Sequence, residues 1–260
     1  VRYDPRRRGI YAKEFHKLRG RKGLTMEDAI RLLKTTTYFG PMMVHMGDAD
    51  GYLGGISHNY PDIVKPCLQT IGPAADTHRI VGMYMMTVNG QLMFIGDATI
   101  NIYPDSRTLA EIAVQTAKVA RRFGVKPKVA MLSFSNFGTS GEMRTDRIEE
   151  AIEMARELDP GIIIDGPMQA DTALIEEIQE NYPFMEFDGP ANVLICPNLA
   201  SANIAYKLLQ RVAGAEMTGP ILEGMAKPAH VLQRDDSVRE VVHMAAICAV
   251  DAQRHATQKL

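Results

Sequence analysis

Charged and hydroxyl side chains gather in four stretches of this chain, each able to do recognisable chemistry. Ser133-Phe134-Ser135-Asn136-Phe137-Gly138-Thr139-Ser140-Gly141 lies between an apolar run, Val129–Leu132, and a helix expected from about Thr145. Hydroxyls and glycines at a strand-to-helix turn suit phosphate, because the free amides of a helix N-terminus point at the ligand. Asp165 follows the apolar run Ile162–Ile164 and opens an Asp-Gly turn, so it reads either as a catalytic acid or as a cap on backbone amides. Gly40–Gln69 sets His45, Asp48, Asp50, His58, Asp62 and Lys65 around a glycine-rich turn, whose bare backbone would let a ligand approach closely. A metal site at His45, Asp48 and Asp50 is one reading; caps on turn amides are the commoner use of such aspartates. Leu232–Glu240 places Arg234 among Asp235, Asp236 and Glu240. Ser237 and Glu240 have the spacing of a capping box that opens a last helix, Val238–Gln253.

The elements that must position these groups follow from periodicity. Met42, Val44 and Met46 alternate with Met43 and His45, which predicts a central strand buried on both faces, then the turn, then a helix beginning near Lys65. Tyr11, Phe15 and Leu18 predict an amphipathic helix over 10–19, and Thr25 with Asp28 caps another over 26–34. Asn89-Gly90 joins Gly82–Val88 to Gln91–Ile95 in a type I′ hairpin, and Ser106–Phe123 is a helix stopped by Gly124. Asn192–Cys196 reads as a buried strand and Ser201–Val212 as a helix. The strand–helix alternation from 128 to 214 argues an α/β fold with a mostly parallel sheet, whose ligands sit beyond the carboxyl ends of the strands.

Composition narrows the class. The chain has 260 residues, 46% of them hydrophobic, enough for a large core and two lobes. A formal net charge of −2 gives no global field for nucleic acid, although Arg2, Arg6, Arg7, Arg8, Lys13, Lys17, Arg19, Arg21 and Lys22 make the start locally basic. Cys67, Cys196 and Cys248 sit in apolar runs without metal-ligand spacing, which favours reduced thiols and a cytoplasmic location; no membrane span is expected. Neither GxGxxG nor GxxxxGK[ST] occurs, so the motifs support no dinucleotide fold and no nucleotide hydrolase.

MMVHMGDADGYLGGISHNYPDIVKPCLQ, residues 42–69, resembles the phosphate acetyl/butyryltransferase family, as do VAMLSFSNFGTS, DGPMQAD and the run from Asn192 to Leu232. The resemblance implies two α/β lobes with the site in a cleft between them. Residues 1–65 with 223–260 would form an incomplete first lobe and 66–222 the second. It also implies coenzyme A and phosphate as ligands, held by Arg19, Lys65, Ser133, Ser135 and Arg234, with Lys65 standing where the family has arginine. The family's catalytic serine, arginine and aspartate correspond to Gln233, Arg234 and Glu240, a degenerate set, with Asp235 and Asp236 replacing Gly-Cys. SNFGTS and KPAHVLQ are most similar to the C-terminal domain of bacterial NADP-dependent malic enzymes. On that resemblance the chain is expected to bind acetyl-CoA as an allosteric regulator and to assemble at least a dimer. NADP and a divalent metal would then belong to an upstream domain outside this sequence. The alternative is an active phosphate acetyl/butyryltransferase.

Overall fold

The computed structural model describes residues 5–75, 77–138 and 146–257. In chain order the elements begin with α1 (Pro5–Arg19), α2 (Met26–Leu32), α3 (Thr36–Met46), β1 (Tyr52–Gly54) and α4 (Tyr60–Thr70). They continue with β2 (Val81–Val88), β3 (Gln91–Gly96), α5 (Ser106–Arg122), β4 (Val129–Leu132), α6 (Asp146–Leu158), β5 (Ile164–Met168), α7 (Ala170–Leu174) and α8 (Glu176–Gln179). The last are β6 (Val193–Ile195), α9 (Leu199–Val212), β7 (Glu216–Glu223), β8 (Ala229–Val231) and α10 (Val238–Thr257). Two compact units result, Val1–His78 with Gly224–Leu260, and Arg79–Glu223. The first crossing falls after His78 rather than after Lys65, so α4 lies wholly in the first unit.

In the first unit the expected strand over 42–46 is a helix. Tyr38, Phe39, Met42 and Val44 are buried along α3, and their rings meet α1: Tyr11 to Phe39 at 5.1 Å and Phe15 to Tyr38 at 5.4 Å. Side chains buried at positions 38, 39 and 42 follow a helical period, which the apolar run 42–46 taken alone conceals. Gly47 closes α3 in the left-handed region at φ 82°. Lys227 then caps it, its Nζ donating to the carbonyls of Val44 at 2.6 Å and His45 at 2.8 Å. A cation at a helix C-terminus stabilises otherwise unpaired carbonyls. Lys227→Met is expected to lower the unfolding free energy by about 2 kcal/mol in urea denaturation, the range for charge-assisted hydrogen bonds. A loss below a few tenths would show the cap to be idle.

Helix α4 begins at Tyr60 rather than near Lys65, with Pro61 in its first turn, where proline's missing N–H costs nothing. β1 and β8 pair in parallel, Leu53 opposite His230.

The second unit is built on a six-stranded sheet in the order β5-β4-β6-β3-β2-β7. β5, β4, β6 and β3 are parallel neighbours, while β3-β2 and β2-β7 are antiparallel. The Asn-Gly hairpin forms as expected, with Asn89 at φ 49° and Gly90 at φ 79°. α5 buries Leu109, Ile112, Ala113, Thr116 and Ala120. On α9, Tyr206 stacks on Tyr84 at 4.3 Å. The strand expected at 162–164 runs instead through Ile164–Met168, so Asp165-Gly166-Pro167 lies within it. Asp165 is a cap: its Oδ1 accepts from the Gly166 amide at 2.7 Å and its Oδ2 from the Glu186 amide at 2.8 Å. The thiols of Cys67 and Cys196 are buried and pushed up to about 12, which holds them in the unreactive form. Among the described residues no helix is long and apolar enough to cross a membrane.

Candidate functional site

Because β1 and β8 are parallel, their carboxyl ends release two loops side by side, 55–59 and 232–237. The Leu232 amide donates to the Gly54 carbonyl at 2.8 Å. Gly55, at φ 135°, would carry a Cβ 2.3 Å from the Leu232 carbonyl oxygen, so only glycine permits this approach. The glycines of this turn therefore bring chain against chain. Gly51 and Gly54 likewise lie where a Cβ would strike Cys248 and Tyr52.

Arg234 follows directly. Its Nη2 donates to Asn59 Oδ1 at 3.3 Å, and Asn59 Nδ2 donates to Asp62 at 3.2 Å. Asn59 stands at the N-cap of α4, yet its side chain caps no amide; it faces the arginine instead. The capping box also forms: the Ser237 amide donates to Glu240 Oε2 at 2.6 Å, and the Glu240 amide to Ser237 Oγ at 3.3 Å. One oxygen of Glu240 is thus committed to opening α10.

Asp236, half-buried, accepts from the Gln233 amide at 2.7 Å. Burial pushes its carboxyl up to about 6; the Gln233 amide opposes the shift, and the charges of Glu240 and Asp235 add to it. A folded-state value above the unfolded one means the folded chain holds this proton more tightly, so stability is full below about pH 4 and declines as pH rises towards 6. Asp236→Asn is expected to remove that decline and to stabilise the chain at pH 7 by about 1 kcal/mol, after discounting for solvent screening. Urea midpoints at pH 4 and pH 7 check it; an equal pH dependence in both proteins would refute it.

The other expected cations are placed differently. Arg19 ends α1, where its charge partly offsets the upward shift that burial gives Tyr38, whose hydroxyl donates to Gln69 at 2.7 Å. Lys65 is exposed on the second turn of α4. Among the described residues, neither hydrogen-bonds to the 232–240 loop nor pairs with a carboxylate. The metal reading finds its groups dispersed: Asp48 accepts from the Tyr11 hydroxyl and pairs with Arg7 at 3.5 Å, whereas His45 lies 3.9 Å from Glu14. Among the described residues no three metal-ligating side chains converge.

A second set of strand ends lies in the other unit. Beyond the carboxyl ends of β4 and β6 is a cavity of about 830 Å³, lined by Ser133, Phe134, Arg147, Asn198 and Ser201 among others. The Ser133 amide donates to the Met168 carbonyl at 2.8 Å, which ties the start of this loop to the end of β5. Ser135 is buried and does not line this cavity. Thr139 and Ser140 of the expected phosphate loop, and Thr145 at the expected helix start, lie outside the described residues. The sequence reading missed Asn59, Tyr103, Arg147 and Asn198. Only Asn198 had a local signal, an asparagine before a helical pattern, and it does cap α9 by accepting from the Ser201 amide at 2.9 Å.

The fold is α/β, with Arg234 and Arg147 near the carboxyl ends of parallel strands. The chain belongs to the phosphate acetyl/butaryl transferase family, whose model matches residues 2–249. It is 40% identical over 252 residues to the phosphate acetyltransferase of Thermoanaerobacterium thermosaccharolyticum, covering 94% of this chain and 76% of that one. To the phosphate acetyltransferase of Corynebacterium glutamicum it is 38% identical over 243 residues, covering 93% and 74%. The crystal structure of a phosphotransacetylase from Streptococcus pyogenes superposes with a TM-score of 0.88 at 37% identity, covering 94% of this chain and 75% of that one. These relatives are phosphate acetyltransferases and not malic enzymes, so they lend no support to the expected malic-enzyme context.

Proposed function

We propose that this chain transfers an acyl group between coenzyme A and phosphate. The observation that carries the reading is Arg234, held by Asn59 at the paired ends of β1 and β8, beside a carboxylate at position 240. In the direction of acyl-CoA formation, the thiol gives its proton to a base and the thiolate attacks the acyl carbonyl. The tetrahedral oxyanion then collapses and phosphate leaves with the electrons of the broken C–O bond. Glu240 serves as the base through the oxygen its cap leaves free. Arg234 binds the phosphoryl oxygens, and the Gln233 side-chain amide donates to the oxyanion. Arg19 and Lys65 bind the phosphates of either substrate. A homo-oligomer of at least two chains belongs to this proposal.

A second reading has its own observation. Gln233 stands where the family pattern has serine, and Asp235 and Asp236 add negative charge beside the phosphate-directed arginine. On that reading the chain binds acetyl-CoA without turnover, as the regulatory domain of a malic enzyme. Calorimetric titration of acetyl-CoA, run beside an assay for acetyl phosphate formation from acetyl-CoA and phosphate, separates the two. Turnover that disappears in Glu240→Gln supports the transferase; micromolar binding without turnover supports the sensor.

A further inference from the structure

We propose that the Asp236 carboxylate is an acid-released gate on anion binding at Arg234: ionised, it weakens the hold on a doubly charged anion, and protonated, it lets that anion in. The proposal rests on the reading of Arg234 as the phosphate-directed cation; the gate itself rests on the turn that carries the arginine. The Asp236 amide donates to the Gln233 carbonyl at 3.2 Å, and the Gln233 amide donates back to Asp236 Oδ2 at 2.7 Å. These two bonds close a four-residue turn from both ends, with Arg234 and Asp235 at its tip. The carboxylate cannot swing away from the arginine without opening the turn. It is half-buried, so water and salt screen its charge less than they screen an exposed one.

The charge balance around the turn gives that carboxylate its effect. The charged and titratable groups on the elements next to Asp236 are Arg234 and Asp235 in its own turn, Arg239, Glu240 and His243 in the first two turns of α10, and His58 and Asp62 on the 55–59 loop and the first turn of α4. Glu240 is pinned close by through the bond from the Ser237 amide. Arg234 itself reaches Asn59 at the end of the other loop. An anion arriving at Arg234 therefore meets Asp235, Asp236 and Glu240 as well, and each carboxylate repels it. Burial pushes Asp236 up to about 6 against the pull of the Gln233 amide, and the charges of Glu240 and Asp235 add to the shift. The repulsion that Asp236 supplies is thus present above that pH and lost below it.

The test is calorimetric titration of inorganic sulfate into the full chain at pH 5 and pH 8, at constant ionic strength. Sulfate keeps both charges at either pH, so any change in affinity belongs to the protein. The parent chain should bind it roughly tenfold more tightly at pH 5, the size expected for losing one like charge a few ångströms away in partly screened surroundings. Asp236→Asn keeps an acceptor for the Gln233 amide without the charge. It should bind sulfate at pH 8 as the parent does at pH 5 and lose most of the pH dependence. By reciprocity, saturating sulfate should raise the titration midpoint of Asp236 by about one pH unit, read by NMR of its carboxyl carbon, a response that a purely structural carboxylate would not give. His58→Gln and His243→Gln should keep the dependence. A dependence that vanishes in either of them and survives in Asp236→Asn overturns the gate, because a histidine would be gathering the anion. Equal affinity at both pH values, lost in Arg234→Ala, overturns the gate and leaves Arg234 an anion site. Sulfate bound at neither pH, or bound as well by Arg234→Ala, defeats both. Acid-tightened binding that needs Arg234, in a chain that transfers no acyl group, leaves the gate standing while the transferase reading fails.

Discussion

Alanine at position 97 is expected to lower the unfolding free energy by about 4–5 kcal/mol, near the upper end for a single substitution. Asp97 follows β3 and is buried, yet its carboxylate is fully engaged. Oδ1 accepts from the amides of Gly82 at 3.1 Å, Thr99 at 2.9 Å and Ile100 at 3.2 Å. Oδ2 accepts from Asn101 twice, from its backbone amide at 2.9 Å and its side chain at 2.6 Å. Burial pushes the carboxyl upward, and these donors pull it back. Removing it strands several donors together, each costing about 1–3 kcal/mol unless water reaches it. The loss acts on function through the fold, because the 97–101 turn leads to Tyr103 and to α5 across the sheet. Asp97→Asn should recover only part of the loss, since its NH2 would face donors rather than accept from them. Urea denaturation decides: a loss under 1 kcal/mol for Asp97→Ala would mean the turn is held by something other than this carboxylate.

The same dependence on long-range partners explains what could be read from the chain. The Asn89-Gly90 hairpin, α5 with its Gly124 stop, β4 and the Ser237–Glu240 cap are local: turn chemistry, helical period or a four-residue box suffices. The misreadings occur where a tertiary partner decides. The run 42–46 is too short for its apparent alternation to decide between strand and helix, and packing against α1 with the cap from Lys227, far along the chain, favours the helix. The Asp-Gly turn expected at Asp165-Gly166 lies instead inside β5, and Gly166-Pro167 and Gly219-Pro220 lie in β5 and β7. Those are the two edge strands of the sheet, where proline's missing N–H breaks no interior ladder. β1 and β8, three residues each, carry too short a pattern to be recognised, so the pairing that brings Asn59 to Arg234 was invisible. The site loop 232–240 was legible as a set of charges; its partner across the parallel pair was not.

Arg234→Ala should lower kcat/KM for acyl transfer roughly 100- to 1,000-fold, the scale for removing one preorganised donor from a developing charge. The expectation follows from placement. Arg234 is exposed and, among the described residues, anchored through one 3.3 Å hydrogen bond to Asn59, so little of the fold depends on it, and its loss should change stability by under about 0.5 kcal/mol. An effect on rate without one on stability is what separates a substrate-binding arginine from a structural one. Arg234→Lys should recover only part of the rate, because an ammonium cannot present two parallel donors to a phosphoryl group. Asn59→Ala should cost less, about 10-fold, since it releases the guanidinium's orientation and leaves its charge. A thiol-coupled assay with acetyl phosphate, run beside urea denaturation, gives both readouts. Turnover in Arg234→Ala equal to that of the parent chain would remove this loop from the reaction. If instead rate and stability fell together, the arginine would be holding the 55–59 and 232–237 loops in register, and the phosphate-binding charge would have to be sought at Arg19 or Lys65.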